Sequence, residues 1–114
     1  MLELTATWAD AWNTAWFGAV DDLVRRRLAD LDEACARVGR DPSTIRRTVG
    51  LRVHEPGRRG DDDRGTDAGA EGLADLFDQL AAVGFDDALI WSIEKSPTAL
   101  ERIAEARELH LARA

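Results

Sequence analysis

Residues 19–53 read AVDDLVRRRLADLDEACARVGRDPSTIRRTVGLRV, and along this stretch the hydrophobic period changes from about 3.6 residues to two. In its first half Val20, Leu23, Val24, Leu28, Leu31, Cys35 and Val38 fall three or four apart, which gathers them on one side of a helix. Arg25, Arg26, Arg27, Asp30, Asp32 and Glu33 take the other side and read as a solvated face. Asp21 and Asp22 stand where carboxylates favour the helix dipole, and Gly39 supplies a left-handed residue to end the helix. After Arg40-Asp41-Pro42-Ser43, Ile45, Val49, Leu51 and Val53 alternate with Arg46, Thr48, Gly50 and Arg52. That pattern is a strand with its apolar residues toward helices, and Arg47 is the one break on that side.

Downstream, residues 54–70 are rich in glycine and charge with no long apolar side chain, the composition of a long, mobile loop. A second helix is predicted over residues 71–83, with Leu73, Leu76, Phe77 and Leu80 on one face and Gly84 at its end. The run Phe85-Asp86-Asp87-Ala88-Leu89-Ile90-Trp91 resembles a strand buried on both faces. Ser96 reads as an N-cap with Pro97 in the first turn of a final helix reaching Arg113, which carries Leu100, Ile103, Ala104 and Leu111. Upstream, residues 2–8 read as the end of a helix and residues 10–16 as a short strand and its exit. Alternation of this kind predicts an α/β fold of parallel strands joined by right-handed helical crossovers.

Composition narrows the function classes. The formal charge of −7 repels phosphates and anionic lipids, and the arginines are scattered among acids, so nucleic acid is not expected as a partner. One cysteine, Cys35, excludes an intramolecular disulfide and any cysteine-based zinc cage, and His54 and His110 are far apart in sequence, so no metal is expected. Cys35 lies on the apolar helical face, which suits a buried, inert thiol. No stretch approaches the roughly 20 apolar residues that cross a bilayer, and the first residues lack a basic leader. A cytoplasmic protein without membrane contact is the expectation.

Three segments together resemble the C-terminal part of the luciferase-like monooxygenase family. They are Ala9-Asp10-Ala11-Trp12-Asn13-Thr14, Leu31 to Cys35 running into Gly39 to Arg47, and Leu80-Ala81-Ala82-Val83-Gly84-Phe85-Asp86. The resemblance implies a partial TIM barrel made of the last three βα units, with FMN or the deazaflavin F420 as the family's cofactor. A whole (β/α)₈ barrel runs to about 250 residues, so 114 residues supply only part of one. The glycine-rich phosphate loop would lie before Met1. The glycines at 57, 60, 65 and 69 are diluted with acids that would repel a phosphate, and they read as linker. The resemblance therefore implies an oxidoreductase segment that does not hold cofactor tightly or turn over alone. The expected partners are a second copy of the chain or a separately encoded N-terminal barrel half. The alternative is a non-catalytic α/β module that binds through an open sheet.

Barrel chemistry lies at the C-terminal ends of strands, here expected at Asn13, Thr14 and Trp16, at His54 and Glu55, and at Ser92 and Glu94. Trp12 and Trp16 offer flat faces for a cofactor ring or substrate, and core packing is the commoner role of such residues. Asn13 offers a donor and an acceptor to a flavin edge, or to its own backbone at a strand exit. His54 is the candidate catalytic proton carrier, against the commoner role of a solvated loop histidine. Glu55, adjacent to it on an extended chain, points the other way. Glu94 and Lys95 read as loop charges.

Overall fold

The Asp21 side chain accepts a hydrogen bond from the Val24 N–H at 3.0 Å, which opens a 17-residue helix, and Gly39 ends it in the left-handed region at φ 74°. In the computed structural model, which describes residues 2–113, this helix is the second of four. The order is α1 (Leu2–Trp8), β1 (Ala11–Phe17), α2 (Asp22–Val38), a 3-10 turn (Pro42–Thr44), β2 (Arg46–Val53), α3 (Ala70–Ala82), β3 (Asp87–Ser92) and α4 (Pro97–Arg113). The three strands form a parallel sheet in the order β1-β2-β3. The α/β class and the alternation expected from the sequence are both observed.

One face of this sheet is covered by helices. Val49, Leu51 and Val53 of β2 are buried there with Val24 and Leu28 of α2 and Leu73, Leu76 and Leu80 of α3. Full burial of a leucine such as Leu51 or Leu73 stabilises the fold by roughly 1.5–3 kcal/mol. A second cluster joins Ala6 of α1 to Leu31, Ala34 and Cys35 of α2 and to Ile45. Arg47, the apparent break in the alternation, keeps to the helix side because its guanidinium pairs with Asp32 of α2. Among the described residues no helix is long and apolar enough to cross a membrane.

The opposite face is uncovered. Asn13, Thr48, Gly50, Leu89, Arg52 and Trp91 share it by strand register. Arg46 and Asp87 pair across its lower end at 2.5 Å. β3 is therefore not buried on both faces, as its apolar run had suggested: Leu89 is 53 % and Trp91 41 % exposed. Its edge position and the uncovered face explain the difference. On α4, Leu100 and Leu111 face outward while Ala99 and Ala106 are buried. Ala99, Ile103, Ala106 and His110 lie four, three and four apart along α4. The small alanines on that stripe let α4 approach α3, and Ile103 between them packs against the core.

Candidate functional site

β1 reaches Phe17, so Asn13, Thr14 and Trp16, expected just past the end of the strand, lie within it. Between Thr14, opposite Val49, and Phe17, opposite Leu51, the first strand holds one more residue than the second. This bulge places both Ala15 and Trp16 against Gly50. A Cβ at residue 50 would come within 2.7 Å of the Ala15 Cβ and of two Trp16 ring carbons, so glycine is what lets the indole lie across β2.

Trp16 meets Trp91 on the open face, with ring centroids 5.5 Å apart and planes tilted by 60°. The guanidinium of Arg52 lies 4.9 Å from the Trp91 ring centroid, on the same face. These three residues form a half-exposed surface of two indoles and a stacked guanidinium near the C-terminal ends of the strands. Trp12 is not part of it. That side chain turns to the helix face and packs against both core clusters, in keeping with the ordinary core role. Asn13 lies on the open face nearer the N-terminal end, where its Oδ1 accepts a 2.7 Å hydrogen bond from the Thr48 hydroxyl. Thr14 is buried and accepts from Arg27 of α2 at 3.3 Å.

Behind the aromatic surface sits a polar cluster built around His54. The residue is 6 % exposed, not a solvated loop histidine. Its Nε2 lies 2.8 Å from Asp63 and its Nδ1 3.2 Å from Glu94. Asp63 also accepts from Arg52 at 2.9 Å and from the Gly65 N–H at 2.6 Å. Glu55 does not pair with His54, as the alternation of an extended chain requires. Its N–H donates to Glu94 at 3.0 Å, and its carboxylate accepts from the Ser96 hydroxyl. Ser96 in turn caps α4 by accepting from the Ala99 N–H at 3.1 Å, the N-cap role read from the sequence.

Electrostatics follow from these contacts. The Gly65 N–H and the Arg52 guanidinium hold the Asp63 carboxyl far below the usual range despite its partial burial, with His54 adding to the effect. Burial pushes His54 down, but hydrogen bonds and charge from Asp63 and Glu94 together outweigh it and leave the imidazole above its ordinary value. Burial raises Glu94, yet bonds from the Glu55 N–H and His54 carry it below the usual value. With a carboxylate at each ring nitrogen, His54 has no free nitrogen for a substrate, so its geometry is that of a positioning residue.

The 54–70 segment, read from composition as linker, is a loop that docks on the strand ends. The Thr66 N–H donates to Arg52 O at 2.9 Å, and the His54 N–H donates to Thr66 O at 2.7 Å. Gly18 and Gly65 sit backbone to backbone, since a Cβ on Gly18 would lie 2.2 Å from the Gly65 carbonyl carbon. Sequence reasoning missed Arg52, Asp63, Trp91 and Glu94 as members of one cluster. Arg52 and Trp91 stand opposite each other in the β2–β3 register, a pairing that correct alignment of the two strands would have found. Asp63 carried no signal among the neighbouring aspartates 61 and 62. Among the described residues no group of three or more His, Cys, Asp or Glu side chains is placed to hold a metal ion.

The fold is α/β with an aromatic and charged cluster at the C-terminal ends of parallel strands. No family model matches the chain, and no curated protein matches it.

Proposed function

We propose that this chain is the C-terminal βα portion of a luciferase-like, flavin- or deazaflavin-dependent oxidoreductase barrel and supplies one wall of its pocket. The observation that carries the reading is the Trp16–Trp91 surface beside Arg52, exposed at the strand ends where such barrels do their chemistry. The two indoles, inclined at 60°, offer an apolar corner to the face and edge of a ring system, and Arg52, itself paired with Asp63, stacks beside it. The residues suit the ring of FMN or F420 but not its phosphate. The docked loop nearest the strand ends carries Asp61, Asp62, Asp63 and Asp67, which repel an anion. When bound, such a cofactor supplies the hydride or oxygen chemistry, while this chain excludes water and orients the ring. His54 positions Asp63 and Glu94 beneath that wall.

A second reading is a non-catalytic α/β module that self-associates or completes a split barrel. It is favoured by the uncovered sheet face, where Leu89 joins the two tryptophans, and by the free outer edges of β1 and β3 among the described residues. The two readings separate in one experiment. The purified chain is mixed with FMN or F420, with and without a separately produced N-terminal half of a luciferase-like barrel, while cofactor fluorescence and light scattering are followed. The oxidoreductase reading expects no micromolar binding by the chain alone and binding in the mixture. Micromolar binding by the chain alone refutes its dependence on another half. Self-association with no binding in either sample favours the interaction module.

A further inference from the structure

His54 ties two separate loops to the end of β2: Asp63 of the 54–70 loop at 2.8 Å and Glu94 of the turn between β3 and α4 at 3.2 Å. Ionised carboxylates only accept hydrogen bonds, so both contacts hold only while both ring nitrogens carry protons. A neutral imidazole keeps one N–H and sets its other lone pair against a carboxylate. We infer that His54 is a protonation-dependent clasp: as the imidazolium it holds the Asp63 and Glu94 carboxylates together at the end of β2, and on losing a proton it lets go of the Glu94 carboxylate.

The Glu94 carboxylate is the part released because the Asp63 carboxylate has more anchors besides His54. The Asp63 carboxylate keeps Arg52 and the Gly65 N–H, and its carbonyl accepts from Arg59 at 2.8 Å. The Glu94 carboxylate has the Glu55 N–H as its one other partner residue and starts from the longer contact, so without the imidazolium it is free to swing away from that N–H. The backbone of the turn stays on β2 through the Ile93 N–H to Val53 O at 2.9 Å, and the Glu94 carbonyl accepts from the Ser92 hydroxyl at 2.8 Å. The charged groups that meet the ring are thus Asp63 from the loop and Glu94 from the turn; Arg52 of β2 and Arg59 of the loop bond to Asp63, and the Glu55 carboxylate turns to Ser96. Two depressed carboxylates and one elevated imidazole define the window. The clasp is complete below the ordinary histidine value of about 6.5 and is lost as pH rises through the raised value. It fails again in strong acid, when the carboxylates protonate. The clasp does not depend on the chain acting with a flavin.

The test follows the imidazole signals by NMR from about pH 5 to pH 9, together with amide-exchange protection of Glu55 and Thr66. Glu55 protection reports the Glu94 contact, and Thr66 protection reports the docked loop. The expected result is a His54 titration above the ordinary value, with Glu55 protection falling roughly tenfold or more through it and Thr66 protection constant. Glu94→Gln keeps size and an acceptor while removing charge, and it should lower the His54 titration and reduce the Glu55 response. Glu55 protection that ignores the titration, Thr66 protection that falls with it, or a titration unmoved by Glu94→Gln would each overturn the inference.

Discussion

Gly18→Ala is expected to undock the 54–70 loop from the end of β1. A methyl group at residue 18 would lie 2.2 Å from the Gly65 carbonyl carbon, 2.4 Å from its oxygen and 2.6 Å from the Arg64 oxygen. Ordinary carbon contacts are about 3.5–4.0 Å, so the segments must part by roughly 1 Å or more. All three opposing atoms belong to the backbone, and no rotamer change relieves them. Parting breaks the bridge in which Thr66 donates to Arg52 O and accepts from the His54 N–H. Two backbone hydrogen bonds at about 0.5–1.5 kcal/mol each set the loss at roughly 1–3 kcal/mol. For a domain of this length that corresponds to roughly 4–12 °C in Tm. Gly60→Ala is the control, since a Cβ there meets nothing within 4 Å and should change stability by no more than about 0.5 kcal/mol. Thermal unfolding followed by circular dichroism measures both variants, and trypsin cutting after Arg58, Arg59 and Arg64 reports the loop directly. If the two variants melt together and are cut at equal rates, the segment is a free linker and the docking argument fails.

Gly50→Ala should push Trp16 off the open face at a cost of about 1–3 kcal/mol, because its Cβ overlaps both the indole and Ala15. Tryptophan emission should shift with the loss of stability, and an unchanged spectrum in a fully stable variant would remove the bulge argument. Leu51→Ala, at a fully buried position, should cost about 2–5 kcal/mol in denaturant unfolding. Leu100→Ala, on the exposed side of α4, should stay within about 0.5 kcal/mol of the parent; equal losses would show that α4 is turned the other way.

Much of the scaffold was legible because its signals are local. Val24, Leu28, Leu31 and Cys35 announce the buried side of α2, and Val49, Leu51 and Val53 announce that of β2. Caps at Gly39 and Ser96 are single-residue signals of the same kind. The candidate site was much less legible. His54 is made by Asp63 and Glu94, nine and forty residues away, and nothing at residue 54 distinguishes a buried imidazole from a solvated one. Trp12 and Trp16 are four apart yet on opposite faces, because the bulge changes the alternation between them. The α4 face escaped notice because Ala99 and Ala106 are buried for their small size while Leu100 is exposed.

The parallel order of the sheet also bears on how the chain reaches this state. Ala11 pairs with Arg46, and Thr48 pairs with Asp87, so every strand contact waits for an intervening helix to bring distant residues together. A hairpin can nucleate from neighbouring residues, but this sheet has none, and loop-closure entropy must be overcome before either pairing contributes. Helices α2 and α3 are the natural early structures, and β2, which alone contacts both other strands, is the point on which the two slow closures converge.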